Sequence, residues 1–147
     1  MSIQLVPRQP RIALIPLTSE ARMALGTAAL AVDTLPYRVG RESRRPGFER
    51  IFSPDKRGPA APTNELYILE VSEEFNVSRE HFQIEWDGRE LTLVDRGSTC
   101  GTIVEGHQVG GDGQGGSVSL KDGDVIIVGT SFSPFVFKVR VDFDSRD

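Results

Sequence analysis

Cysteine is almost missing from this chain of 147 residues: Cys100 is the only one, so no intramolecular disulfide and no multi-cysteine zinc site can form. Histidine is nearly as scarce, with His81 and His107 alone, and the three residues together make a poor metal set. No cofactor and no metal are therefore expected. No stretch approaches the ~18–20 apolar residues of a membrane helix, and the segment from Met1 to Arg8 lacks the long apolar core of a secretory signal. A soluble, reducing compartment, the cytoplasm, is the simplest expectation, with no membrane partner. Positive charge is not in excess either. Lys and Arg number 17 against 21 Asp and Glu, a net charge of −4, so no global basic field exists to attract nucleic acid.

What is present is a series of short apolar segments with turn residues between them. The length suits one domain with one core, here expected to span 1–147 with its core at about 11–141. Arg11 to Leu17 reads as a first strand, and Thr18 to Gly26 as one short helix, with Thr18 or Ser19 capping its start and Gly26 ending it. Strands are expected at Leu35–Val39, Leu66–Val71, His81–Trp86, Leu91–Asp95, Thr102–Val104, Ser117–Leu120, Val125–Val128 and Phe135–Val141. In His81–Trp86 the alternation puts Phe82, Ile84 and Trp86 on one face; in the last strand Phe135, Phe137, Val139 and Val141 share a face. Asp87-Gly88 is a two-residue hairpin signal, and Glu105-Gly106 reads as a turn. Many short strands separated by turns predict an all-β sandwich or barrel.

Charge is unevenly placed. Between Arg38 and Arg50 lie five arginines and two glutamates, a local +3; between Glu65 and Asp87 lie seven acids and one base, a local −6. The plain reading is two solvated patches; the sharper one is a local anion site around the arginines. Residues from Glu42 to Thr63 carry Pro46, Gly47, Pro54, Gly58, Pro59 and Pro62 and predict a long basic loop. Phe48, Ile51 and Phe52 within it are apolar enough to predict partial anchoring.

A phosphate monoester carries about −1.5 to −2 charges and three strong acceptor oxygens. Holding one takes arginine, hydroxyl donors and free backbone N–H groups. Such groups recur here at strand-to-loop junctions: Gly40-Arg41 ends one strand, Ser78-Arg79-Glu80-His81 precedes another, and Ser98-Thr99-Cys100-Gly101-Thr102 follows a third. Loops at one end of a sandwich can bring them together. In this order, followed by Leu120-Lys121-Asp122-Gly123-Asp124, the motifs resemble the forkhead-associated (FHA) domain, from about Arg11 to Val141. The resemblance implies a β-sandwich of two packed, mostly antiparallel sheets, with the short helix and the long basic loop as additions. It implies a phosphothreonine-binding module that docks on a partner protein after a Ser/Thr kinase has acted. By the same resemblance Arg41 grips the phosphate, Ser78 donates its hydroxyl to it, and Arg79, Ser98 and Thr99 complete the cradle. Gly40, His81, Gly101 and Thr102 brace the loops, and Arg44 and Arg45 steer acidic peptides. Two positions depart from the family pattern. Cys100 stands where the family has an asparagine that bonds the peptide backbone, an exchange worth ~1–2 kcal/mol because a thiol is a weak hydrogen-bonding group. Glu105 stands where many members have asparagine.

Each residue also has a plainer reading: Arg41 as a surface arginine at a strand end, Ser78 as a turn hydroxyl, Cys100 as an incidental small residue. Other motifs fail on context. Gly111 to Gly116 contains G-x-G-x-x-G, but the following Ser117–Leu120 reads as strand where a dinucleotide site needs a helix. Asp122-Gly123-Asp124 has too few ligands for calcium. Ser78, His81 and Asp95 can be written as a triad, yet no nucleophile elbow accompanies them, so no enzyme is expected. The second expectation for function keeps the fold and drops the phosphate, leaving a phosphate-independent scaffold or assembly module.

Overall fold

A computed structural model describes residues 9–42, 63–71 and 75–143. The expected anchoring of Phe48, Ile51 and Phe52, and the steering by Arg44 and Arg45, lie outside the described residues. Among the described residues, eleven strands and one helix follow in the order β1 (Arg11–Pro16), α1 (Ser19–Leu25), β2 (Leu30–Val32), β3 (Tyr37–Arg41), β4 (Leu66–Ile68), β5 (Phe82–Trp86), β6 (Leu91–Asp95), β7 (Thr102–Val104), β8 (His107–Val109), β9 (Gly116–Ser119), β10 (Val125–Val128) and β11 (Val136–Asp142). They form two sheets, of order β2-β1-β11-β10-β7-β8 and β4-β3-β5-β6-β9. Every pairing is antiparallel except β3 with β4. The chain is the all-β sandwich that its sequence predicts.

Period-two alternation builds the interior. Phe137, Val139 and Val141 of β11, Ile126 and Val128 of β10, and Leu14 of β1 turn inward from one sheet; Phe82 and Ile84 of β5, Leu91 and Leu93 of β6, and Val39 of β3 meet them from the other. Each fully buried large aliphatic or aromatic side chain contributes ~1.5–3 kcal/mol. Helix α1 begins where the Thr18 hydroxyl accepts the Ala21 N–H at 3.0 Å, and it ends at Gly26, whose φ of 72° is left-handed. Ala21 is its one fully buried residue, against β1 and β4.

The structure departs from the sequence reading at element ends. The strand expected over Leu66–Val71 stops at Ile68. Beyond it the Glu70 carboxylate accepts the Asn76 N–H (2.8 Å), the Asn76 side-chain amide (3.0 Å) and the Val77 N–H (3.0 Å), which ties the chain to the loop before β5 instead. β2 and β8 are additional strands, each with a single buried residue, Val32 and Val109. The strand expected at Leu35–Val39 runs Tyr37–Arg41, so Arg41 is its last residue.

Candidate functional site

Arg41 leaves β3 at the same end of the sandwich as the β4–β5, β6–β7 and β10–β11 loops. Its N–H donates to Ser78 O at 2.8 Å, so the two loops are joined by their backbones. This close approach explains Gly40. A Cβ at that position would lie 1.9 Å from Arg79 O and 2.6 Å from Asn64 Nδ2, so no side chain fits. Asn64 is buried, donates to Arg79 O at 2.8 Å and accepts from Arg96 Nη1 at 2.5 Å. Arg96 also donates to Thr63 O at 3.1 Å and faces Glu80 at 3.7 Å. Burial lowers the pKa of Arg96, against the pull of Glu80.

His81 lies one residue before β5 and leaves the strand's alternation, because the loop folds its ring fully inside. Nδ1 accepts the Ser78 N–H at 2.9 Å, which leaves Nε2–H to donate to Gly101 O at 2.7 Å. The ring thus bridges two loops. Its pKa is lowered chiefly by burial, with the Gly101 carbonyl, Asp95 and Glu70 opposing. Both ring nitrogens are committed to backbone, and Asp95 bonds elsewhere, so Ser78, His81 and Asp95 do not form a triad. The Ser78 hydroxyl oxygen accepts the Thr99 N–H at 3.0 Å, and its own proton has no acceptor among the described residues.

Asp95 is buried and accepts four donors: the N–H groups of Gly97 (3.0 Å) and Ser98 (2.9 Å), the Ser98 hydroxyl (2.6 Å) and the Thr102 hydroxyl (2.9 Å). Ser98 Oγ in turn accepts the Gly101 N–H at 2.9 Å, and Gly101 takes a φ of 84° to close the loop. This corrects one expectation. Ser98 is fully buried with its hydroxyl donated to a carboxylate, so it shapes the loop and does not face a ligand. Thr99, the next residue, is exposed. Thr102 is fully buried within the same network.

Around Arg41 the guanidinium donates to Val77 O at 3.2 Å and lies 5.5 Å from the centre of the Phe75 ring. Phe75 is 58% exposed and takes a φ of 55°, unusual for a bulky residue. Arg79 is exposed, and its side chain has no partner among the described residues. Arg41, Ser78, Arg79 and Thr99 therefore lie on loops joined at one end of the sandwich, which carries two cations and a hydroxyl proton left free, groups suited to an anion. The Cys100 thiol is directed to Phe75 O at 3.7 Å. Glu105 turns away from this end and accepts the Val125 N–H at 2.8 Å, bracing β7 to β10. Sequence reasoning missed Phe75, Glu70, Asn64 and Arg96, whose partners in the site lie 6–34 positions away in sequence; the one available signal was Arg96 beside Asp95. Among the described residues, no group of three or more His, Cys, Asp and Glu side chains is arranged to hold a metal, and no helix is long and apolar enough to cross a membrane.

Comparison with known proteins gives the family. No curated protein matches the chain. Among solved structures, the FHA domain of an Arabidopsis thaliana hypothetical protein shares 26% identity, with 100% of this chain and 97% of that one covered and a TM-score of 0.58. The kinase-interacting FHA domain of the Arabidopsis kinase associated protein phosphatase shares 22%, covering 93% and 98%, with a TM-score of 0.58. Mycobacterium tuberculosis EmbR, solved with a low-affinity phosphopeptide, shares 18% with a TM-score of 0.56; 95% of this chain is covered but only 27% of EmbR, so the chain spans about a quarter of that protein. The family model of the FHA domain matches residues 37–129, from β3 through the end of β10, and the chain belongs to the FHA domain family.

Proposed function

We propose that this protein is a phosphothreonine-dependent protein–protein interaction module acting downstream of a Ser/Thr kinase. The observation that carries the reading is the joining of three loops at one end. Arg41 is bonded to the Ser78 backbone, and Ser78 Oγ takes the Thr99 N–H, which leaves its own proton free to be donated to a ligand. Arg41 and Ser78 hold the phosphate; Thr99 and Arg79 contact it or the peptide backbone beside it. Gly40, His81, Gly101 and Thr102 hold the loops in place, and Ser98 joins them in that role. Related folds include EmbR bound to a phosphopeptide and a domain studied for phosphothreonine-dependent interactions, which supports the ligand class.

Two or three charge-assisted hydrogen bonds at ~1.5–3 kcal/mol each, less the cost of ordering a peptide, correspond to micromolar affinity. The module is non-enzymatic: its one histidine near a hydroxyl is spent on backbone groups. It is a single domain with its core at about 11–141, working in the cytoplasm, where kinases and ATP supply its ligand. A second reading, phosphate-independent assembly on the same fold, is favoured by Cys100, whose thiol replaces a stronger hydrogen-bonding group. Fluorescence polarisation against an oriented phosphothreonine library, with phosphoserine and unphosphorylated controls, separates the two. Selective phosphothreonine binding supports the first; equal binding of the unphosphorylated set supports the second.

A further inference from the structure

The two sheets differ in what they turn to solvent. The outward positions of the five-stranded sheet are mostly polar: Arg38, Gln83, Glu85, Thr92, Ser117 and Ser119. On the six-stranded sheet Val136, Ile127 and Ile103 stand side by side across three strands. Leu17, 46% exposed, extends this row through its N–H bond to Val136 O. Ile15 and Val125 lie in the next row, on either side of Lys138. The sequence shows the same anomaly. β10 is apolar at every position, Val125-Ile126-Ile127-Val128, which is the pattern of a strand covered on both faces. The opposite sheet covers Ile126 and Val128 only. Ile103, Ile127 and Val136 are half-buried and Leu17 is exposed, so four aliphatic neighbours at ~4.8 Å spacing present one apolar strip on this face.

The strip is continuous with the candidate site. One groove of about 480 Å³ is lined by Thr99 of the candidate site, by Cys100, Gly111, Asp112 and Thr130, and by Ile103 of the strip. Resting on the phosphothreonine reading, we infer that the partner's chain leaves the phosphate cradle through this groove and lays an aliphatic side chain on Ile103, Ile127 and Val136. The ligand is then a longer segment: a phosphothreonine with an aliphatic anchor some residues away. At ~3.3 Å per extended residue the anchor belongs roughly four to nine positions from the phosphothreonine. A bare phosphothreonine hexapeptide fills only the cradle.

The test uses two phosphothreonine peptide sets, hexapeptides and 20-mers with one leucine scanned over those positions on either side. They are titrated against wild type, Ile127→Ser, Val136→Thr and Arg41→Ala. The expected result is that one 20-mer family binds wild type ~10-fold tighter than its hexapeptide, the worth of partly burying one aliphatic side chain. Ile127→Ser and Val136→Thr should erase that gain and leave hexapeptide binding unchanged, and Arg41→Ala should remove both. No gain from any leucine position, or a gain that survives both strip variants, overturns the inference while leaving the phosphothreonine reading intact. Sedimentation velocity run alongside gives the other occupant: concentration-dependent dimers abolished by Ile127→Ser would show that a second copy covers the strip and overturn the inference. Hexapeptides that fail to bind wild type would overturn the phosphothreonine reading and this inference with it.

Discussion

Replacing His81 by alanine removes the ring that bridges the β4–β5 and β6–β7 loops. The Gly101 carbonyl, 2.7 Å from Nε2, loses its partner in a buried place, and the Ser78 N–H, 2.9 Å from Nδ1, in a half-buried one. Each orphaned backbone group costs ~1–3 kcal/mol, and the cavity left by the ring adds ~1–2 kcal/mol. The sum is ~3–8 kcal/mol, a large part of the ~5–15 kcal/mol that holds a domain of this size together. At ~2–4 °C per kcal/mol, thermal unfolding should shift down by ~6–30 °C. Urea titration should show a lower midpoint with little change in slope. Phosphopeptide affinity should also fall, measured where the variant is still folded, because Ser78 and the Thr99–Gly101 turn lose their common support. A variant that unfolds within ~3 °C of wild type and binds phosphopeptide normally would refute the bridging role of His81.

Acidification should reveal the same residue. Burial holds the His81 pKa below its ordinary 6.5, so as pH falls below that value the unfolded chain takes up the proton first. The stability involved is fully present above about pH 6.5 and declines below it by up to ~1.4 kcal/mol per unit until the folded ring is protonated. Denaturant midpoints from pH 5 to 8 should slope less in His81→Gln than in wild type, and equal slopes would contradict the assignment. Gly40→Ala places a Cβ 1.9 Å from Arg79 O; the two loops must part, at ~1–3 kcal/mol, and calorimetry should find phosphopeptide binding lost even in folded protein. Asn64→Ala removes the bond to Arg79 O and one partner of Arg96. Binding should weaken several-fold, and unchanged affinity would show that Arg79 needs no such support.

Elements whose signal is local were legible in the sequence. The alternation of Phe137, Val139 and Val141 gives β11, that of Phe82 and Ile84 gives β5, and Thr18 and Gly26 mark the ends of α1 through caps that need only neighbouring atoms. β2 and β8 were not legible, because three residues with a single buried side chain show no period. The candidate site divides in the same way. The Gly-Arg and Ser-x-x-His motifs announce themselves by residue type and spacing. Ser98 and Thr99 do not reveal which of them points inward; that depends on Asp95 gathering four donors around one buried carboxylate. Asn64 and Arg96, 32 positions apart in sequence, meet only because β3 and β5 bring Arg79 against Gly40.

The most direct test is calorimetric titration of one library-selected phosphothreonine peptide, before and after phosphatase treatment, into wild type and Arg41→Ala. Micromolar binding by wild type, lost on dephosphorylation and weakened at least ~100-fold (~3 kcal/mol) in an Arg41→Ala variant of unchanged melting temperature, is the predicted result. Binding that survives either phosphate removal or the loss of Arg41 would contradict the account.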